Sequence, residues 1–249
     1  MPKELIVRDT LEKISKMERF NQWIYENIKP FLGDRILDAG CGNGNISEYF
    51  KDKELLIAVD KDEDNIKDIQ GRLSGFTNLQ VIKCDIEKDQ FVSLVKERQI
   101  DTILCINTLE HIKDDVMVIR NLYDILEPDG SLIILVPVLR FLYSSLDKSL
   151  GHFRRYSKEE IIQKLTASNF HIQYTAYFNF FGIFGWFLHS KLLRKSRFSG
   201  SALNLFDSLV KYFVLFERFL RIPFGLSLLV VGRKMSVDLD NKNPGEGIC

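Results

Sequence analysis

Five short apolar runs alternate with stretches of helical character before residue 140, and this alternation restricts the possible folds more than any other feature. The runs are RILDAG (35–40), LLIAVD (55–60), LQVIKCD (79–85), IDTILCIN (100–107) and GSLIILVPV (130–138). The helical stretches between them lie near 45–52, 63–74, 89–97 and 114–127. Apolar strands joined by helices predict a parallel sheet covered on both faces. In such sheets, ligands bind beyond the carboxyl ends of the strands.

The flanking segments predict further elements around this core. Residues 9–29 have apolar side chains near helical spacing and predict an amphipathic helix. Beyond residue 140, a helix near 158–168 leads into a strand at 170–178, and 226–234 predicts the last strand. About 45 residues between these two strands, at 179–225, predict two helices and a basic loop.

The charge is balanced overall but divided between the two parts of the chain. Residues 1–140 hold 19 Lys/Arg against 26 Asp/Glu, whereas residues 141–249 hold 15 against 8. The excess of positive charge in the second part predicts contact with something anionic, and a membrane surface, a phosphorylated substrate and nucleic acid all fit that description.

The cysteines and the amino terminus indicate a cytoplasmic setting. The four cysteines form no C-x-x-C pair and have no histidine spacing typical of zinc, so no metal site is predicted. The amino-terminal residues are charged throughout and lack the pattern of a secretory signal. A reducing cytoplasm is the simplest expectation, with peripheral attachment to the inner face of the membrane left open.

The segment ILDAGCGNGNIS, residues 36–47, places Gly40, Gly42 and Gly44 directly after the first strand. Glycines at such a turn let a ligand touch the main chain, and the unpaired N–H groups that follow suit a phosphate or carboxylate. The dinucleotide fingerprint G-x-G-x-x-G requires a glycine at position 45, where this chain has Asn45.

Two aspartates narrow the choice of ligand further. Asp38 lies two residues before the first glycine, where it disfavours a pyrophosphate but suits an ammonium group. Asp60 ends the second strand, where a carboxylate can accept hydrogen bonds from both hydroxyls of a ribose. A ligand with a carboxylate, an ammonium and a ribose but no phosphate fits this pattern, and S-adenosyl-L-methionine has those groups.

Four motifs in order carry a family resemblance: LDAGCGNG, VD at 59–60, CD at 84–85 and NTLEHI at 107–112. Over residues 33–140 the chain resembles class I S-adenosylmethionine-dependent methyltransferases. The resemblance implies an α/β fold with a Rossmann-like seven-stranded mixed sheet and a helical lid inserted before the last strand. It implies cofactor contacts to the methionine part from Asp38, Gly40, Gly42 and Gly44, to the ribose from Asp60, to the adenine amino group from Asp85, and to the methionine ammonium or sulfonium from Asn107. Lys61 and Ile86, the neighbours of Asp60 and Asp85, are also predicted to contact the cofactor.

The organisation expected from this resemblance is a single methyltransferase domain over residues 1–249. Its parts are a cofactor-binding core (33–140), an acceptor and lid region (141–225) that includes the helical insertion 179–225, and a flexible tail (236–249). Asp85 could instead cap a helix or lie in a solvated loop, and Asn107 could be a turn residue.

Two segments offer a base for an acceptor that must lose a proton. His111, in NTLEHIKDD, lies near the expected methyl position, although the Glu110–His111 pair could only order its loop. The segment LDKSLGHFRRYS, residues 146–157, resembles a GHxRRY segment of one branch of these enzymes. From it we predict catalytic roles for His152 and Tyr156, and acceptor binding by Arg154 and Arg155. The alternative is a helix cap at Ser157, with the arginines at the surface.

The aromatic insertion allows two interpretations. Residues 174–188 contain eight aromatics and no charge, a run too short to cross a membrane. The helices could form a lid over the acceptor, or lie in the interface of an anionic membrane.

The function that follows is methyl transfer from S-adenosylmethionine, through oxygen, to a small or lipid-linked acceptor that could be anionic. A nicotinamide-dependent oxidoreductase and a non-catalytic membrane-associated protein of the same fold are the alternatives. Nucleic acid is disfavoured as a partner because NTLE replaces the NPPY-type motif of amino-group methylating enzymes.

Overall fold

Seven strands form one mixed sheet, which confirms the predicted fold class. They are β1 (Arg35–Ala39), β2 (Leu55–Asp60), β3 (Leu79–Lys83), β4 (Ile100–Ile106), β5 (Leu126–Pro137), β6 (Phe170–Phe178) and β7 (Ser227–Lys234). Their order across the sheet is β3-β2-β1-β4-β5-β7-β6. The first five strands pair in parallel, whereas β7 runs antiparallel to both β5 and β6.

The structure, a computed structural model, describes residues 3–193, 199–220 and 222–236. Most of the predicted basic loop and of the predicted tail therefore lies outside the described residues. The α-helices are α1 (Lys3–Ser15), α2 (Glu18–Ile28), α3 (Glu63–Arg72), α4 (Gln90–Val95), α5 (Asp115–Ile125), α6 (Ser145–Leu150), α7 (Lys158–Thr166), α8 (Phe180–Trp186) and α9 (Gly200–Leu220).

Alternate residues of each strand face two separate apolar layers. In β2, Ile57 and Val59 join the layer that α4, α5 and α7 cover. Leu56 and Ala58 join the opposite layer, which α2, α3 and α9 cover. Because both faces of the inner strands are buried, their sequences are largely apolar, whereas the edge strands β3 and β6 are partly exposed.

The predicted helix over 9–29 is two helices that meet at Lys16 and Met17. Met17 is buried, and the Asn21 side chain donates a hydrogen bond to the Ile14 carbonyl at 3.0 Å across the break. The break lets α2 pack on the sheet while α1 turns toward the carboxyl ends of the strands. Apolar spacing alone did not reveal it, since both helices keep one apolar side.

The insertion before the last strand is helical, as predicted. It contains α8, a short π-helix (Phe187–Leu192) and α9. None of the helices in the described ranges is both long enough and apolar enough to cross a bilayer. The Phe20 N–H donates to Asp207 at 2.9 Å, which ties α9 to α2.

Candidate active site

A cavity of about 340 Å³ opens at the carboxyl ends of β1, β4 and β5. Its size is within the range of small-molecule sites, roughly 300–1,000 Å³. The turn after β1 forms one wall, and α1, α8 and α9 close the side away from the sheet. The predicted site residues that line it are Asp38, Gly40, Gly42, Asn107, His111, His152 and Arg155.

The turn after β1 requires glycine at two positions for different reasons. Gly40 has φ of +83°, and a Cβ there would lie 2.4 Å from a Thr108 side-chain carbon. Gly44 has φ of +78°, and a Cβ there would lie 2.6 Å from Ile69. Gly44 therefore allows close packing of α3 against the turn, and it does not line the cavity. At Gly42 the structure leaves more open space.

Asp38 is a buried carboxyl group at the cavity wall. Burial raises its pKa to about 6, although the bond from Ser47 Oγ at 2.6 Å opposes that rise. A cation placed beside this carboxylate would stabilise its charged form. The site therefore fits the ammonium of an amino-acid ligand, and the bare backbone at Gly40 and Gly42 fits its close approach.

Asp60 holds the same turn from the end of β2. It accepts hydrogen bonds from Gly42 N at 2.9 Å, Asp62 N at 2.8 Å and Asn65 Nδ2 at 3.2 Å. Asp60 lies beside the cavity and does not line it. Lys61, the next residue, is exposed.

Of the three remaining candidate cofactor residues, Asn107 lines the cavity, whereas Asp85 and Ile86 do not. Asp85 follows β3 and accepts a hydrogen bond from Glu87 N at 3.1 Å, so it stabilises its own turn. Ile86 is buried in the apolar layer under α4 and α5. Asn107 lines the cavity with a left-handed φ of +51°, and its N–H donates to the Leu135 carbonyl at 2.8 Å.

Two imidazoles from distant segments meet in the cavity. The rings of His111 and His152 lie edge to face with centroids 4.8 Å apart. His152 Nδ1 lies 3.1 Å from Asp147 Oδ1. The two histidines were predicted separately, and no local pattern indicated their contact. Asp147 was not predicted, although it is the only acidic residue of the segment 146–157 that carries His152.

Arg155 is a buried cation at the cavity wall. Its Nε donates to Asp147 at 2.8 Å and its Nη1 to the Val138 carbonyl at 3.0 Å. The guanidinium carbon lies 4.3 Å from the ring centroid of Trp186, on α8. Trp186 lines the cavity, and no sequence motif had marked it.

Tyr156 and Arg154 lie away from the cavity, contrary to their predicted roles. The Tyr156 hydroxyl is buried against the Leu109 carbonyl and Asp115, at 3.0 and 2.7 Å. Burial raises the pKa of Tyr156 far above its ordinary value. Arg154 pairs with the same Asp115 at 2.9 Å. Both residues join α5 to the segment before α7, which is a structural role.

The alternative reading of this segment, a helix cap, is also present. Ser157 Oγ accepts a hydrogen bond from Glu160 N at the start of α7. The Glu160 side chain pairs with Arg140 and Lys164 instead of completing a capping box. A complete capping box occurs at Ser144 and Asp147, at the start of α6.

Glu110 is the most deeply buried acid of the cavity wall. Burial raises its pKa to about 7, and the nearby charges of His152 and Arg155 oppose that rise. One of its carboxylate oxygens has no hydrogen-bond partner among the described residues. The ligand atoms of Glu110, His111 and His152 lie within 4.8 Å of one another, a spacing that could hold a metal ion. The positive charge of the adjacent Arg155 opposes the binding of a metal ion there. The absence of a metal site stays a prediction.

Comparison with known proteins identifies the family. The family described as a methyltransferase domain matches residues 31–189, which is more than half of the chain. The chain belongs to this methyltransferase family. Over 111 residues, the methyltransferase is 31% identical to the ubiquinone biosynthesis O-methyltransferase of Bordetella bronchiseptica, covering 43% of this chain and 44% of that one. Over 109 residues it is 30% identical to the mitochondrial enzyme of that name from Bos taurus, covering 43% and 29%. The matches span less than half the length of these relatives.

Solved structures share the fold. A methyltransferase from Archaeoglobus fulgidus superimposes with a TM-score of 0.58 at 19% identity, covering 88% of this chain and 94% of that one. The N-methyltransferase NodS from Bradyrhizobium japonicum, solved with S-adenosylhomocysteine, gives 0.56 at 15% identity and covers 89% and 88%.

The methyltransferase uses S-adenosylmethionine as its cofactor, as predicted. The family match favours methyl transfer over the alternatives of a nicotinamide-dependent oxidoreductase and of a non-catalytic membrane-associated protein of the same fold. The cavity wall fits the amino-acid end of this cofactor, because it combines a buried carboxylate with side-chain-free backbone.

Proposed function

We propose that this methyltransferase transfers the methyl group to an oxygen of a small or lipid-linked, anionic acceptor. The observation that carries the proposal is the contact between His111 and His152 in the cavity wall, with a carboxylate behind His152. A hydroxyl acceptor must lose a proton as it is methylated, and an imidazole is suited to take it at neutral pH. The O-methyltransferase names of the partial relatives agree with oxygen.

For the cofactor, we assign the amino-acid end to the turn of Gly40 and Gly42, with its ammonium near Asp38. Asp60 would take the ribose hydroxyls, and Asn107 would border the sulfonium. When bound, the cofactor supplies an electrophilic methyl group. The protein aligns the acceptor with that methyl and excludes water, which accounts for most of the rate enhancement of such displacements. Asp85 and Ile86 would contact the adenine; like Asp60, they lie outside the cavity lining, so these contacts require the cofactor to extend beyond the cavity along the ends of β2 and β3.

Calorimetric titration with S-adenosylhomocysteine tests the cofactor site. We expect binding by the wild type and near loss of binding in Asp60→Ala. Asp52→Ala, which removes an exposed carboxylate next to β2, is the matched control and should bind normally. Binding of NADH instead of S-adenosylhomocysteine, or equal affinity of Asp60→Ala, would contradict the assignment.

An anionic acceptor is supported by Arg155 at the cavity wall, because its buried Nη2 has no hydrogen-bond partner among the described residues. Matched aromatic acceptors test both chemical claims when the methyl group of S-adenosylmethionine is labelled. We expect 4-hydroxybenzoate to be methylated faster than 4-aminobenzoate, and faster than the uncharged 4-hydroxybenzamide. Preference for the amine would contradict transfer to oxygen, and preference for the amide would contradict the anionic acceptor.

A lipid-linked acceptor is supported by the insertion, which both lines the cavity and carries exposed apolar side chains. Leu203 and Phe206 of α9 line the cavity. The exposed apolar face of α8, the π-helix and α9 consists of Phe184, Phe187, Leu188, Leu192, Leu205, Leu209, Tyr212, Leu215, Phe216, Phe219 and Leu220. We assign this face to an anionic membrane surface, because residues 141–235 hold 14 Lys/Arg against 5 Asp/Glu.

A further inference from the structure

Asp147 is a fully buried carboxylate that four hydrogen-bonding groups surround. Its Oδ1 lies 3.1 Å from His152 Nδ1 and accepts from Arg155 Nε at 2.8 Å. Its Oδ2 accepts from the backbone N and the Oγ of Ser144, at 2.9 and 3.2 Å. Both oxygens are therefore occupied by protein groups, and neither is left for a ligand.

These contacts keep Asp147 ionised. Burial alone would raise its pKa, but the hydrogen bond from His152, the charge of Arg155 and the bond from Ser144 N outweigh burial, and the pKa lies below its ordinary value. An ionised carboxylate can only accept hydrogen bonds. The hydrogen between the two residues must therefore belong to His152 Nδ1.

The position of that hydrogen decides what His152 can do. In a neutral imidazole only one nitrogen carries a hydrogen, so Nε2 is left with its lone pair. His152 lines the cavity, and its ring contacts His111 there. A carboxylate behind a histidine, holding its tautomer and orientation, is the arrangement that makes an imidazole a general base.

We propose that Asp147 is a positioning residue of the methyl-transfer site, which fixes His152 as the Nδ1–H tautomer so that Nε2 faces the acceptor as a base. This proposal rests on the proposed transfer to oxygen. As the acceptor oxygen forms its bond to the methyl carbon, its O–H bond breaks and the proton moves to Nε2. The electron pair of the carbon–sulfur bond stays on sulfur. Asp147 stabilises the imidazolium until the proton is released to solvent.

Arg155 gives this pair a link to the insertion. It shares Oδ1 of Asp147 with His152 and stacks on Trp186 of α8. Trp186 lines the cavity, so Arg155 connects the part of the wall formed by α8 to Asp147, the residue that holds His152. Arg155 thus compensates the buried charge of Asp147 when His152 is neutral.

The tautomer of His152 is measurable by NMR with ¹⁵N-labelled histidine, in the S-adenosylhomocysteine complex and at a pH where the ring is neutral. His152→Gln identifies the signal. We expect the wild type to show hydrogen on Nδ1. A wild type with hydrogen on Nε2 would overturn the proposal, and the tautomer itself is measured on the wild type.

A matched pair of variants tests Asp147 itself. Arg155→Met keeps the carboxylate, so His152 should keep its hydrogen on Nδ1. The double variant Asp147→Asn/Arg155→Met removes both buried charges together. The carboxamide oxygen then has the Ser144 N–H to accept from, so its nitrogen donates to His152 Nδ1 and the hydrogen moves to Nε2. An unchanged tautomer in the double variant would overturn the proposal. Calorimetry with S-adenosylhomocysteine on the same samples reports separately on the proposed cofactor site.

Discussion

Protonation of Asp38 should control binding of the cofactor's ammonium group. Its pKa of about 6 in the free protein means that it is half protonated near that pH. A bound ammonium favours the carboxylate, so binding releases a proton and affinity should rise with pH up to about 6 and then level off. We expect affinity for S-adenosylhomocysteine to fall by up to roughly tenfold per pH unit below 6.

The control is Asp38→Asn, which should bind weakly and lose this part of the pH dependence. Calorimetry from pH 5 to pH 8 compares the two proteins. Parallel affinity curves for wild type and variant would show that Asp38 does not face the ammonium.

Glu110 should make the folded protein less stable as pH rises. Its pKa is about 7 in the folded state, against an ordinary value of 4.5, because burial disfavours its charge. Between these two values the folded state binds more protons than the unfolded state, so stability falls with rising pH across this window. The fall is on the order of 3 kcal/mol for one such group.

Denaturant unfolding at pH 4.5 and pH 8 measures this effect. Glu110→Gln has no carboxyl group to titrate at this position. Its free energy of unfolding relative to that of the wild type should therefore increase from pH 4.5 to pH 8. If the difference in free energy of unfolding between the two proteins is the same at both pH values, the burial argument for Glu110 is wrong.

The turn after β1 depends on Gly40 more than on any side chain in it. Gly40→Ala places a Cβ 2.4 Å from Thr108 and forces an alanine into a left-handed conformation. We expect a loss of at least roughly 1–2 kcal/mol in the free energy of unfolding, together with loss of cofactor binding. Gly71→Ala is the control, because Gly71 lies in α3 and a Cβ added there would meet no other part of the protein within 4 Å. It should stabilise the protein by about 0.5–1 kcal/mol. Equal effects of the two substitutions would contradict this account of the turn.

The inner strands were predictable from the sequence because burial on both faces produces a nearly continuous apolar run in the local sequence. The ends of the helices were less predictable from the sequence. The predicted helix over 45–52 is a single 3-10 turn at Ser47–Phe50, and the helix predicted to reach residue 127 ends at Ile125. These ends depend on how the chain meets the sheet, which local spacing does not encode.

The site was predictable only in part, for the same reason. Asp38 and Gly40 lie in one short segment whose spacing carries their chemistry. Tyr156, by contrast, bonds to Asp115, which is 41 residues away, and a local motif gives no sign of that contact. The wall formed by α1 was also missed, because its apolar residues are typical of any amphipathic helix.

The exposed apolar face should bind the whole protein to anionic membranes. Phe219, in α9, is 87% exposed, and Leu215 lies one turn before it. The double variant Leu215→Ser/Phe219→Ser should reduce binding to phosphatidylglycerol vesicles by roughly tenfold or more. Leu94→Ser, on α4 at the opposite face of the sheet, should bind as wild type does.

Vesicle co-sedimentation measures this binding, with phosphatidylcholine vesicles as the uncharged comparison. Equal binding by the double variant would contradict the membrane assignment. A concentration-dependent dimer that the double variant abolishes, without vesicle binding, would assign the face to a second copy of this chain instead.

A crystal structure with S-adenosylhomocysteine bound tests the central claim most directly. We expect the ammonium beside Asp38, the ribose hydroxyls on Asp60 and the sulfur directed toward the cavity that His111 and His152 line. A ligand seated elsewhere, or a ribose far from Asp60, would contradict the account.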